Sequence, residues 1–165
     1  MNNSVVLIGP MGAGKTTLGK KLARQLGVPF ADTDKIISAK HGSVQSIFQK
    51  HGEEHFRDLE TLALEKALAS AGIVATGGGL PLREANRKLL EGNLVIFLDT
   101  SQEHVIGKIN LNKRPLLKDN PDRWTEIYNE RKPLYEQISQ RRIFTGGKSL
   151  KTLLAELEEA IKDVV

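Results

Sequence analysis

Nine residues near the start of the chain, Gly9-Pro10-Met11-Gly12-Ala13-Gly14-Lys15-Thr16-Thr17, fit the spacing G-x-x-x-x-G-K-[ST]. That spacing suits a nucleotide polyphosphate. Glycines let backbone N–H groups converge on phosphate oxygens, and a helix starting at the loop adds the positive end of its dipole. Gly12, Ala13, Gly14 and Thr17 would then contribute to the cradle, Lys15 would reach the β- and γ-phosphates, and the Thr16 hydroxyl would hold Mg²⁺.

Further candidates for chemistry lie downstream. The stretch Val28 to Asp34 ends in two acids, Asp32 and Asp34. If it is a strand parallel to the first, its carboxyl end meets the phosphate loop, and alternation puts both acids on one side. There one carboxylate can orient a Mg²⁺-bound water and the other an acceptor hydroxyl, as phosphoryl transfer to an alcohol requires. A helix N-cap is the competing role for either acid. Gly77-Gly78-Gly79 follows an apolar stretch, where three glycines favour close approach of backbone to a ligand over a plain turn. Arg57 lies within helical reach of Glu53 and Glu60, which a surface ion pair would explain. Arg131 falls on the apolar stripe of Trp124, Ile127, Tyr128, Leu134, Tyr135 and Ile138. An inward arginine needs an anionic partner, either a buried carboxylate of the protein or an acidic ligand. The basic stretch from Lys108 to Arg123, which holds Arg114, lacks periodicity and suits a lid.

Elements that could position these residues alternate between strand and helix. Ser4 to Ile8, residues 28 to 34, Ile73 to Thr76, Leu94 to Leu98 and Ile143 to Thr145 suit strands. Leu18, Leu22 and Leu26 mark a helix that Gly27 should end. Residues 35 to 71 suit helices broken at Gly42 and Gly52, with Ser43 as a cap. Residues 83 to 90 suit a short helix, and Thr100 with Glu103 a capping box. Pro133 should kink or loosen the helix around Arg131, and Ser149 should cap a last helix. Such alternation predicts an α/β fold with a mostly parallel sheet covered on both faces.

Composition sets outer bounds. At 165 residues one domain is expected, and the absence of cysteine excludes disulfides and thiolate metal sites. No apolar run approaches a membrane span, so a soluble, cytoplasmic protein is expected, and separately a monomer. A net charge of +4 suits anionic small molecules and is too mild to call for nucleic acid.

In order, these residues resemble the shikimate kinase family over most of the chain. The likeness rests on G-x-M-G-x-G-K-[ST] at Gly9 to Thr16, F-x-D-x-D at Phe30 to Asp34, and Gly52-Glu53 with Phe56-Arg57. It continues through Gly77-Gly78-Gly79, Arg114-Pro115-Leu116-Leu117, and Arg131 with Pro133-Leu134-Tyr135. The resemblance implies transfer of the ATP γ-phosphoryl group to the 3-hydroxyl of shikimate, in the chorismate and aromatic amino-acid pathway. It also implies a three-layer P-loop kinase fold like that of nucleoside monophosphate kinases, with a five-stranded parallel sheet. Residues 1–165 would form one domain, with a substrate-binding helical segment at about 33–60 and a lid at about 108–123.

Carried onto this chain, the family roles give Thr16 and Asp32 to Mg²⁺, and Asp34 to the reacting hydroxyl. Arg57 and Arg131 would clamp the shikimate carboxylate, Gly78 and Gly79 would offer N–H groups, and Arg114 would meet the transferring phosphoryl. Phe48, Phe56, Pro115 and Leu116 would wall the pocket. Two departures stand out: Gly107, followed by Lys108, where the family usually has an adenine-stacking arginine, and Ser139-Gln140 where Ala-Asp is usual.

Overall fold

The run Val5–Ile8 is buried along its whole length, which requires helices over both faces of the strand it forms. The computed structural model describes residues 3–70, 72–105, 120 and 122–164, and places this run, β1, at the centre of a five-stranded sheet. The other strands are β2 (Phe30–Asp32), β3 (Ile73–Ala75), β4 (Leu94–Asp99) and β5 (Arg141–Phe144). Their order is β2-β3-β1-β4-β5, and every pair is parallel.

Parallel neighbours need long crossovers, and helices supply them. These are α1 (Lys15–Leu26), α2 (Thr33–His41), α3 (Val44–Leu68), α4 (Glu84–Leu90), α5 (Gln102–Val105), α6 (Arg123–Ile138) and α7 (Leu150–Ile161). A single 3₁₀ turn covers Leu80–Leu82. Strand alternation divides the core into two layers. Val5, Leu7, Ile73, Ile96 and Leu98 pack with Leu18 and Leu22 of α1 and Leu157 and Ile161 of α7. On the other face Val6, Ile8, Val74, Val95 and Phe97 pack with Leu64 of α3, Leu90 of α4 and Tyr135 of α6. Each fully buried leucine contributes about 2 kcal/mol.

Register decides where chemistry can occur. Val5 sits opposite both Ile73 and Leu94, and Phe30 opposite Ile73, so β1 to β4 end on one edge. The phosphate loop, Asp32 and the glycine triplet all emerge there.

Several boundaries differ from the sequence expectation. The helical segment is broken at Gly42 and Gly52 as expected, the latter with φ 82° and ψ 174°, but its last piece stops at Leu68. Helix α5 starts at Gln102 without the expected capping box. Ser101 takes the cap position, its carbonyl accepting from His104 N, while Thr100 N donates to Asp99 Oδ1. Strand β5 begins at Arg141, because pairing with Ile96 to Asp99 of β4 occupies four residues. Helix α6 continues through Pro133 to Ile138. Of the lid expected at about 108–123, residues 108–119 and 121, with Lys108, Arg114, Pro115 and Leu116, lie outside the described residues, as does Gly107, while Arg123 already opens α6.

One close approach governs how the chain leaves β1. Gly9 has φ 141°, and a Cβ there would overlap the Leu98 carbonyl oxygen of neighbouring β4. Backbone cannot yield as the tip of a flexible side chain can. Gly9→Ala should therefore cost about 3 kcal/mol or more, read as a lower urea midpoint at unchanged m. A midpoint equal to the parent's would show that the loop accommodates a side chain.

Candidate active site

Residues 9–14 turn the chain from β1 into α1, whose first residue is Lys15. Lys15 is largely buried, and its Nζ donates to the carbonyls of Gly9 at 2.7 Å and Pro10 at 2.8 Å. The ammonium is thereby held against the loop backbone. Ala13 turns its methyl group into the core, and Gly12, Gly14, Thr16 and Thr17 line a cavity of about 240 Å³. Helix α6 secures the loop from outside: Trp124 Nε1 donates to Met11 O at 2.9 Å, and Met11 packs against Val105, Trp124 and Ile127. The sequence marked Trp124 only as apolar, although a buried indole N–H requires an acceptor.

Of the roles considered for it, Asp32 takes the helix N-cap, and its carboxylate also meets the phosphate loop. Its Oδ2 accepts from Thr16 Oγ1 at 2.5 Å, and its Oδ1 caps α2 by accepting from Lys35 N at 3.1 Å. Asp34 requires a correction. Strand β2 stops at Asp32 and α2 starts at Thr33, so helical geometry, not strand alternation, brings the two acids together. Both still line the same cavity. Asp34 lies in the first turn of α2. The Thr16 hydroxyl and Asp32 carboxylate are hard oxygen donors, a set that fits Mg²⁺, which typically takes one or two carboxylates and completes its shell with water and phosphate.

The glycine triplet is held at both ends. Gly77 N donates to Thr33 Oγ1 at 3.1 Å, which ties the triplet to the start of α2. Tyr135 of α6 donates its hydroxyl to Gly78 O at 2.6 Å, so across that trans peptide the Gly79 N–H points the other way. Burial pushes the Tyr135 hydroxyl up to about 12, so it remains a donor at neutral pH.

Both arginines reach this triplet, and both are buried. A Cβ on Gly79 would collide with the Arg57 guanidinium, and one on Gly78 would stand 3.4 Å from Arg131 Nη1. Arg57 is thus no surface residue. Its Nη1 pairs with buried Glu60 at 2.9 Å and its Nη2 with Glu53 at 3.1 Å, while its buried Nε has no hydrogen-bond partner among the described residues. Burial works to lower the Arg57 pKa, and Glu60 and Glu53 outweigh it, leaving a net rise. For Arg131 burial dominates and the net shift is downward, with Arg57 adding repulsion. These two cations within reach of one peptide segment form a place for a carboxylate.

Remaining expectations sort as follows. Phe48 and Phe56 pack on each other with centroids 5.1 Å apart, in a small core between α2 and α3. Gln140 joins β5 to β4, since its backbone N and side-chain Oε1 both bond to Val95. Missed by the sequence were Thr33 and the Tyr135 hydroxyl, and Glu60 was noted only as a helical partner of Arg57. A larger cavity of about 640 Å³ lies behind α2, shares only Asp32 with the site, and is floored by apolar side chains.

Comparison with known proteins agrees with this geometry. The family model for shikimate kinase matches residues 11–162. A shikimate kinase of Rhodococcus jostii (strain RHA1) is 40% identical over 96% of this chain and 100% of its own length. Another, from Pseudomonas fluorescens (strain Pf0-1), is 39% identical over 93% of each chain. The solved shikimate kinase from Acinetobacter baumannii in complex with shikimate superposes with a TM-score of 0.91 at 34% identity, over 99% of this chain and 95% of that one. Thymidylate kinase from Candida albicans, at 13% identity and a TM-score of 0.63 over 97% of this chain and 91% of that one, shares the fold alone. A five-stranded parallel P-loop kinase fold, a family match over most of the chain and near-full-length relatives lead to one conclusion: the chain belongs to the shikimate kinase family.

Proposed function

We propose that this enzyme transfers the γ-phosphoryl group of ATP to the 3-hydroxyl of shikimate, giving shikimate 3-phosphate and ADP. The observation that carries the reading is Arg57 and Arg131 meeting at a glycine triplet that shares one sheet edge with the phosphate loop. A carboxylate-bearing alcohol suits that arrangement, with the anion on the arginines and a hydroxyl toward Asp34.

The reaction asks for positioning and positive charge more than for covalent chemistry. Lys15 and the loop N–H groups hold the donor phosphates. Arg57 and Arg131, with the Gly79 N–H, hold the acceptor by its carboxylate, which fixes the hydroxyl relative to the phosphate. Asp34 orients that hydroxyl and receives its proton as the bond to phosphorus forms. Thr16 and Asp32 would hold Mg²⁺, which supplies neutralising charge to the phosphates when bound. Arg114 would add positive charge from the lid and, by closing, exclude water that would otherwise hydrolyse ATP. We assign the enzyme to the cytoplasm as a monomer. A cysteine-free sequence suits a reducing compartment, and none of the described helices is long and apolar enough to cross a membrane.

The deciding measurement is ADP production with Mg²⁺-ATP and shikimate, quinate or gluconate offered separately. Shikimate should be preferred, and a preference for gluconate would overturn the assignment. Asp34→Asn should lower turnover by about 10²- to 10⁴-fold with ATP affinity little changed; near-normal turnover would remove Asp34 from the reaction. Arg131→Ala should raise the KM for shikimate by on the order of tenfold to a hundredfold, and that for ATP far less. Equal losses for both substrates would place Arg131 outside the acceptor pocket.

A further inference from the structure

Glu60 stands where the acceptor-side residues meet, and the proposed reaction gives it no role beyond holding Arg57. It is fully buried, at 0% exposure, one helical turn beyond Arg57 on α3. Its Oε1 accepts from Arg57, while its Oε2 accepts no hydrogen bond among the described residues. A Cβ on Gly77 would stand 2.8 Å from that Oε2 and 2.8 Å from Asp34 Oδ1, so the two carboxylate oxygens are less than twice that distance apart. The groups facing Glu60 are Arg57 on its own helix, Asp34 of α2, and Arg131 and Tyr135 of α6. Two buried cations therefore already have two inward carboxylates near them.

A ligand carboxylate docking on the same arginines makes a third anion. It also competes with Glu60 for Arg57. An uncompensated buried anion is costly, and binding a proton is the usual way such a group avoids that cost. Within this cluster the carboxyl with an undonated oxygen and no exposure is Glu60. We propose that Glu60 takes up a proton from solvent when the acceptor's carboxylate docks on Arg57 and Arg131, and returns it when the acceptor leaves. Glu60 is thus a proton-binding positioning residue, an internal carboxylate that yields Arg57 to the substrate's own. This inference rests on the acceptor reading above.

Electrostatics points the same way. Burial raises the Glu60 carboxyl to about 7, Arg57 opposes the rise, Asp34 adds to it and Arg131 opposes it, so the group is close to half-protonated at neutral pH. Acceptor binding engages both guanidinium groups and brings in a like charge, and both effects raise the pKa further. The bound state then holds more protons than the free state, so acceptor affinity rises as pH falls toward neutrality. The gain levels off once free Glu60 is itself protonated. For folding, the raised pKa means that the stability contribution of Glu60 is full below its unfolded value near 4.5 and is lost as pH rises through about 7.

The test is calorimetric titration of the full chain with shikimate at about pH 7.5, in phosphate, HEPES and Tris, which differ in ionisation enthalpy. The observed enthalpy should vary with buffer and give an uptake of about half a proton per shikimate bound. Glu60→Gln should still bind shikimate, with uptake near zero. Shikimate binding by the parent without buffer dependence, or a Glu60→Gln protein with undiminished uptake, would overturn this inference alone. If Glu60→Gln does not fold, the parent decides: shikimate should bind about threefold or more tighter at pH 6.5 than at pH 8, and a flat profile would overturn the proposal. Absence of shikimate binding by a parent that binds ATP would overturn the acceptor reading, and this inference with it.

Discussion

Two guanidinium groups buried within reach of one peptide segment must be given counter-charge, and much of the acceptor side of this enzyme is arranged to supply it. Glu60 and Glu53 answer Arg57 from its own helix. For Arg131 burial outweighs its neighbours and lowers the pKa of the guanidinium. Two internal carboxylates, those of Glu60 and Asp34, already face these cations, so an anion entering here exchanges with the protein's own counter-charge rather than filling a vacancy.

The sheet supplies the frame for that pocket. Because β1 to β4 are parallel and in register, the phosphate loop, Asp32 and the glycine triplet leave the sheet at one edge. Three side-chain bonds then lock the pieces to one another. Thr16 joins α1 to Asp32, Thr33 joins α2 to Gly77, and Tyr135 joins α6 to Gly78. None of the three is in regular secondary-structure pairing, yet together they fix the phosphate loop and the glycine triplet to the same scaffold.

These two levels differed in how far the sequence revealed them. Strand and helix order could be read from apolar periodicity, and the phosphate loop from spacing, because both are local in the chain. The inward position of Arg131 was legible because a charged residue broke an apolar stripe. The burial of Arg57 was not, since the residues that cover it come from distant segments, and i,i+3 and i,i+4 acids beside an arginine look alike on a solvated or a buried face. Asp34 was placed in the right cavity for the wrong geometric reason, because the strand ends two residues earlier than alternation assumed. Tyr135 and Trp124 were recognised as apolar bodies, while their polar tips bond to Gly78 and Met11, 57 and 113 positions away. Pairings of that kind have no signature in a single sequence.

Helix α6 touches the phosphate loop through Trp124 and, seven residues later, presents Arg131 to the glycine triplet. Seven residues make about two turns, or roughly 10 Å of rise. One helix thus connects the phosphate loop to the glycine triplet, and its pitch fixes how far Arg131 stands from Trp124 along the axis. That separation is set by a segment of hydrogen-bonded helix, which thermal motion stretches far less than it displaces a loop.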